Sequence, residues 1–269
     1  MSKREVVVLS GVRTAIADFG GTLKDQPATE LAAKVVAEAV SRSGLSPEDI
    51  GHCVIGSVLH GDRRDMYISR VAALKAGLPV ETPSLTVNRL CGSGLQALVS
   101  AAQMILLDDC DVAVAGGSES MSRAPYWLPA ARFGANMGDG SMVDSLTGVL
   151  TCPMGDIHMG VTAENVADQF NISREQQDEL ANQSHQRAQR AIEENRFDGQ
   201  ILPIEIKTRK GVTIFNQDEH VRFDCDIESM AKLRPAFKKE GSVTAGNASG
   251  INDGAAALVL MEKAKAEEK

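Results

Sequence analysis

Over its first 118 residues the chain alternates short apolar runs with longer amphipathic stretches. Val6-Val7-Val8-Leu9-Ser10, Cys53-Val54-Ile55-Gly56-Ser57-Val58-Leu59, Ser84 to Asn88 and Asp111-Val112-Ala113-Val114-Ala115-Gly116-Gly117 read as strands. Unbroken apolar runs of this kind suit a sheet covered on both faces. Between them, Thr29 to Ser43 sets Leu31, Val35, Val36 and Val40 on one side of a helix. Arg64 to Ala76 and the proline-free stretch Gly94 to Leu107 also read as helices. Strands alternating with helices predict α/β architecture with a largely parallel sheet.

The periodicity weakens after Ser118. Glu119 to His158 is rich in Gly, Met, Pro and Ser. A helix follows at Thr162–Phe170. Ser173-Arg174-Glu175-Gln176 fits a capping box and opens another, which runs to about Asn195 and ends at Phe197-Asp198-Gly199. Ile201 to Lys207 and Val212 to Phe215 read as a small ribbon. Ser249 to Gly254 forms a turn, Ala255 to Met261 returns to a buried strand, and Glu262 to Lys269 begins a helix. The predicted organisation is one α/β domain from residues 1–118 plus 249–269. It has a mixed, mostly parallel five-stranded sheet with helices on both faces. Residues 119–248 are an inserted α+β loop domain.

The Gly94–Leu107 helix has few polar members before Asp108: Gln96, Ser100 and Gln103. A helix apolar nearly all round is expected to be buried nearly all round, as a layer between two sheets. Just before it stands Val87-Asn88-Arg89-Leu90-Cys91-Gly92-Ser93-Gly94. Cys91 therefore sits at a strand-to-helix turn, where unpaired N–H groups and the positive end of the helix dipole favour a thiolate, the nucleophilic form. Gly92 and Gly94 permit the sharp turn and close approach of another molecule. The alternative is a buried structural cysteine.

Composition narrows the rest. The net charge of −8, from 28 Lys+Arg and 36 Asp+Glu, offers no basic stripe for nucleic acid. No apolar run approaches the roughly 20 residues that span a membrane. Met1-Ser2-Lys3-Arg4-Glu5 leads straight into a strand, without a signal peptide. The cysteines Cys53, Cys91, Cys110, Cys152 and Cys225 are odd in number and form no C-x-x-C pair. Neither a disulfide framework nor a zinc site is indicated, and a reducing, cytoplasmic setting is expected.

Four motifs then point to one family. Val87 to Gly94 resembles the acyl-enzyme motif of thiolases. Gly116-Gly117-Ser118-Glu119-Ser120-Met121-Ser122 resembles the next signature. His158-Met159-Gly160-Val161-Thr162-Ala163-Glu164-Asn165 resembles a loop of short-chain and broad-range members. Val243 to Gly254 resembles the motif closing the family's first half. The text as a whole is similar to bacterial β-ketothiolases and acetyl-CoA acetyltransferases. The resemblance implies a thiolase-like half and an acyltransferase of fatty acid metabolism that makes or cleaves 3-ketoacyl-CoA, with Cys91 as the acylated nucleophile. It places His158 and Met159 at the reactive end of a CoA site. Arg222 and Ser229 fall at the nucleotide end, and Leu150, Ala236, Phe237, Ala245, Ser249 and Ile251 along the pantetheine channel. Coenzyme A or acyl-CoA enters as substrate, with no permanent cofactor and no metal. A homo-oligomer, dimer or tetramer, is implied, with no nucleic acid and no membrane as partner. Core packing remains the alternative for Met159 and Phe237, and a solvated loop charge for Arg222.

The family's second half carries an Asn-Glu-Ala-Phe motif, a Gly-His-Pro motif and a Cys-x-Gly motif, none of which occurs here. The expectation is an N-terminal portion lacking the C-terminal thiolase domain, inactive by itself and self-associating. His52, His60 and His185 read as surface or satisfied histidines, and His220 as solvated in the acidic Asp218-Glu219-His220 loop. The rival readings are a non-catalytic CoA-binding or dimerising scaffold, and a condensing enzyme of the ketoacyl synthase group. The His158 and Asn247 motifs argue against the latter.

Overall fold

A computed structural model describes residues 4–209 and 211–269, so the Met1-Ser2-Lys3 part of the leader reading lies outside the described residues. The chain divides into two compact units. The first runs to Pro125 and takes in Gln200–Glu219 and Asn252–Lys269; the second comprises Tyr126–Gly199 and His220–Ile251.

The first unit is built on β1 (Val6–Thr14), β2 (His52–Gly56), β3 (Ser84–Val87), β4 (Val112–Ser120) and β5 (Asn252–Glu262). Their order across the sheet is β1-β5-β4-β2-β3. β5 runs antiparallel to both β1 and β4, while β2 is parallel to β3 and to β4. One reversed strand in an otherwise parallel set gives the mixed, mostly parallel sheet. Two short strands extend it to seven: Ile201–Leu202 beside β1 and Ala17–Asp18 beside β5. Ala17–Asp18 is too short to leave an alternation, and Ile201–Leu202, read as the start of the small ribbon, pairs with β1 instead, the ribbon beginning at Ile204.

Helices cover both faces. α1 (Ala28–Ser43) buries Leu31, Val35, Val36 and Val40 and ends at Gly44, whose φ of 76° is the left-handed cap glycine provides. The helix expected from Arg64 to Ala76 is shorter. A 3₁₀ turn at Asp65–Tyr67 precedes α2 (Ile68–Lys75), because the Asp62 N–H donates to the Asp65 carboxylate and holds the chain in a tight turn. On the other face lies α3 (Ser93–Leu106).

α3 corrects an expectation. Ser93, Ala97, Ala101 and Ile105, spaced by four, are buried, and the last three pack against Val54, Ala113, Ala115 and Leu260 of the sheet. The opposite flank is not covered: Leu95 is 69 % exposed, Val99 42 % and Leu106 48 %. An apolar helix needs cover on two sides to be buried on two sides, and the sheet supplies one.

The expected 119–248 insertion is also redrawn. β4 carries the chain in the first unit past Ser118, and residues 200–219 group with the sheet as well. The Arg13 guanidinium holds the Asp218 carboxylate at 2.7 Å, Asp218 accepts the Ile16 N–H, and Glu219 accepts the N–H groups of Asp18 and Thr22. The ribbon Ile204–Thr208/Gly211–Phe215 belongs to this unit too.

The second unit centres on α4 (Met159–Phe170) and α5 (Arg174–Glu193). α4 starts before the expected Thr162 because His158 caps it, its Nδ1 accepting the Gly160 N–H at 3.0 Å. The capping box of α5 is formed as read: the Ser173 side chain accepts the Gln176 N–H, and the Gln176 side chain accepts the Ser173 N–H. Among the described residues no helix is long and apolar enough to cross a membrane.

Candidate active site

Cys91 stands exposed at the turn between β3 and α3, two residues before the first helical residue. The turn is held by its own neighbours. The Gly92 N–H donates to the Arg89 carbonyl at 3.1 Å and the Ser93 N–H to the Leu90 carbonyl at 2.9 Å. Ser93 Oγ accepts the Arg89 N–H and donates to the Leu90 carbonyl, and Asn88 Oδ1 accepts the Leu90 N–H. Leu90 is thereby fixed at a φ of 49°, a left-handed conformation uncommon outside glycine. Strain of this kind clusters where a side chain must be presented at one angle. Among the described residues nothing hydrogen-bonds the Cys91 sulfur, and the N–H groups of Gly94 and Leu95 have no acceptor. These are donors of the kind that receive a developing oxyanion.

Glycines seat this turn against the sheet. A side chain at Gly56 would run into the Ser93 backbone, and one at Gly117 would come 3.1 Å from Gly94 Cα. The glycines of the Gly116-Gly117 motif thus act on the Cys91 motif through close packing: Gly116 clears β5 while Gly117 clears the start of α3. We expect Gly56→Ala and Gly117→Ala each to destabilise the fold by about 1–3 kcal/mol, read as a lower thermal midpoint, and to slow alkylation of Cys91. An unchanged midpoint for both would contradict this seating.

Burial tells against three of the other four cysteines. Cys53 is buried, and desolvation pushes its thiol up to about 12. Burial likewise raises Cys110 and Cys225, helped by neighbouring aspartates.

The remaining expected site residues all lie in the second unit, in two clusters. In the first, the Met159 N–H donates to the Leu150 carbonyl at 2.8 Å, and the His158 ring stacks on Phe237 with centroids 4.8 Å apart. Because Nδ1 of His158 accepts the Gly160 N–H, a neutral His158 carries its proton on Nε2. Ala236 and Phe237 belong to a loop closed by the Ala236 N–H donating to the Val243 carbonyl at 2.9 Å. The next turn presents Ala245 and Ser249, both exposed, ahead of the half-buried Ile251. Asn247 ties it down, its Oδ1 accepting the Thr244 N–H and its Nδ2 donating to Asp178 of α5.

In the second cluster the exposed Arg222 donates its backbone N–H to His185 Nδ1 at 3.2 Å, and the His185 ring lies against His220 with centroids 6.2 Å apart. His185 is thus a satisfied histidine, one of the two readings given for it, while His220, read as solvated, is half-buried against it. They lie 35 positions apart, so no local pattern could join them. Desolvation, then His220 and Arg222, depress the basicity of His185. Ser229 serves a short helix at Ile227–Ala231: Asp226 accepts its N–H, and its hydroxyl donates to the Asp226 carbonyl at 2.9 Å. Among the described residues no group of three or more His, Cys, Asp or Glu side chains is arranged to hold a metal ion.

Sequence reading gave no role of their own to Glu164 and Asn247, though both lie in the quoted motifs, and passed over Asp178. All are polar and anchor loops rather than line them; the one signal available was an acidic residue four positions after Gly160 on the same helical face.

Comparison with known proteins matches residues 6–264 to the family described as thiolase, N-terminal domain. The chain is 60 % identical to beta-ketothiolase BktB of Cupriavidus necator over 267 residues, which is 99 % of this chain and 68 % of that protein. It superposes on the crystal structure of the Bacillus anthracis acetyl-CoA acetyltransferase with a TM-score of 0.95 at 46 % identity, covering 99 % of this chain and 67 % of that one. A structure of human mitochondrial 3-ketoacyl-CoA thiolase in complex with CoA gives a TM-score of 0.94 at 41 % identity, covering 98 % and 66 %.

Proposed function

The chain belongs to the thiolase family, and on that footing we propose that it works as a CoA-dependent C-acyltransferase that makes or cleaves 3-ketoacyl-CoA, with acetyl-CoA C-acetyltransfer as its reaction. The single observation that carries this reading is Cys91, exposed on a hydrogen-bonded turn beside two unpartnered N–H groups.

Cys91 Sγ attacks the thioester carbonyl carbon of an acyl-CoA. The tetrahedral oxyanion collapses, CoA leaves as its thiolate and takes up a proton, and an acyl-cysteine remains. In the synthetic direction a base removes an α-proton from a second acyl-CoA. The resulting carbanion attacks the acyl-cysteine carbonyl, and the Cys91 thiolate leaves. Cleavage runs the same steps in reverse. Splitting the condensation this way replaces one hard step by two easier ones. The unpartnered N–H groups of Gly94 and Leu95 supply donors for the first oxyanion. Nothing among the described residues hydrogen-bonds Cys91 as a base would, so we expect this chain alone to accept an acyl group but not to run the condensation.

CoA is assigned to the second unit. Arg222 and Ser229 take the nucleotide end, with arginine suited to phosphate and adenine through charge and stacking. Leu150, Ala236, Phe237, Ala245, Ser249 and Ile251 line the pantetheine arm, and His158 and Met159 lie toward the reactive end. We further assign the protein to the cytoplasm as a homo-oligomer. Arg222→Ala should weaken CoA binding by about 1–3 kcal/mol, the range for losing one charge-assisted contact. Unchanged affinity in calorimetry would remove Arg222 from the site. A non-catalytic CoA-binding scaffold would bind the ligand equally well yet leave acetyl-CoA intact, so release of free CoA on mixing separates the two readings.

A further inference from the structure

We propose that Glu164 is a positioning residue for the pantetheine wall, acting through Phe237; the inference rests on the CoA reading of the second unit. Glu164 is 2 % exposed, and its carboxylate receives only donors. Oε1 accepts the N–H groups of Ser242 at 3.0 Å and Val243 at 2.9 Å; Oε2 accepts the Ser242 N–H at 2.9 Å and the Ser242 hydroxyl at 3.0 Å. Burial pushes this carboxyl up, but the hydrogen bonds from Ser242 and Val243 outweigh it and hold it below its usual range.

The consequence passes along the loop. The Val243 carbonyl accepts the Ala236 N–H at 2.9 Å, so the end of the loop that Glu164 grips holds the segment that carries Ala236 and Phe237. Phe237 in turn lies against His158 with an interplanar angle of 17°. It also lies against the start of α4, where any side chain at Gly160 would run into its ring. Gly160 and Glu164 are one helical turn apart on the same face of α4. Gly160 makes room for the ring, and Glu164 fixes the loop that delivers it. Lys238 on the same loop reaches Asp168 of α4 at 2.7 Å, but both side chains are largely in water, where such a pair is weak.

The requirement is for a carboxylate in particular. Three donors converge on the carboxylate, so a glutamine would turn an NH₂ group toward the Ser242 N–H. Removing the side chain leaves two backbone donors unpaired beside a loop that must keep its shape. The loop then relaxes, and the ring that forms the wall moves with it.

The test titrates CoA into the chain by calorimetry, with variants checked for folding by circular dichroism. Glu164→Ala should weaken CoA binding on the order of tenfold, and Glu164→Gln by roughly two- to fourfold. In a Phe237→Ala background, Glu164→Ala should add less than about twofold, because its effect runs through that ring. Lys238→Ala should stay within about twofold of the unsubstituted chain. A second readout needs no ligand: the ring-current shift of the His158 proton resonances by Phe237 should be lost in Glu164→Ala and in Phe237→Ala, and kept in Lys238→Ala. Unchanged CoA affinity in Glu164→Ala, or a fully additive effect with Phe237→Ala, would overturn the proposal. If Glu164→Ala does not fold, unchanged affinity and an unchanged His158 shift in Glu164→Gln would do so. Absence of CoA binding by the unsubstituted chain would defeat the CoA reading itself, and the His158 shift would still decide whether Glu164 positions Phe237.

Discussion

Replacing Cys91 with alanine should abolish release of CoA from acetyl-CoA while leaving the thermal midpoint within about 0.5 kcal/mol of unchanged stability. The side chain is exposed and accepts no hydrogen bond, so its loss removes no packing and no partner. Three of the other four cysteines are suppressed by burial. Cys53 is buried with its thiol pushed up to about 12, and burial raises Cys110 and Cys225 as well. Loss of the nucleophile in a covalent mechanism lowers the rate by a factor on the order of 10³ or more. A stopped assay of free thiol released from acetyl-CoA reads the effect. Residual release above about a tenth of the original rate would mean that another group accepts the acyl chain.

The second large effect concerns association. Leu95, Val99 and Leu106 form an uncovered apolar flank on α3, continued by Leu90, 53 % exposed, and Leu107, 74 % exposed. Apolar area removed from water is worth roughly 25 cal/mol per Å², so a flank of this kind favours covering by another copy. The chain should sediment as an oligomer at micromolar concentration, and Leu95→Lys combined with Val99→Lys should convert it to monomers without unfolding it. Neither residue faces the sheet, since the buried stripe of α3 is Ser93, Ala97, Ala101 and Ile105. A monomer in sedimentation velocity before any substitution would show that the flank is tolerated in water.

The parts of the fold legible in the sequence were those fixed by local rules. The apolar runs at Cys53 and Val112 became buried strands because a doubly covered sheet leaves no polar alternation, while the strands read at Val6 and Ser84 formed with Val8 and Leu85 left exposed. Ser173 and Gln176 announced the start of α5 because both halves of a capping box lie within four residues. The reversed direction of β5 was not legible: its pairing with β1 joins residues some 250 positions apart, and nothing local encodes it. Charged residues misled for a related reason. Asp218 and Glu219 look like a solvated loop until Arg13 and the Asp18–Thr22 backbone arrive beside them.

The site divided in the same way. The Cys91 turn could be read directly, because its glycines and the helix that follows are contiguous. That Gly56 and Gly117 make room for it depends on strand order. The grip of Glu164 on Ser242 and Val243 spans 78 and 79 positions and turns on an acidic residue being buried, against the usual expectation for its type.

The most direct test of Cys91 as the acyl acceptor is peptide mapping by mass spectrometry after brief incubation of the chain with acetyl-CoA and an acid quench. One acetyl group per chain is expected, held as a thioester on the peptide containing Cys91 and removed by hydroxylamine. An acetyl group found instead on Cys53, Cys110, Cys152 or Cys225, or none on any cysteine while CoA is released, would contradict that role for Cys91.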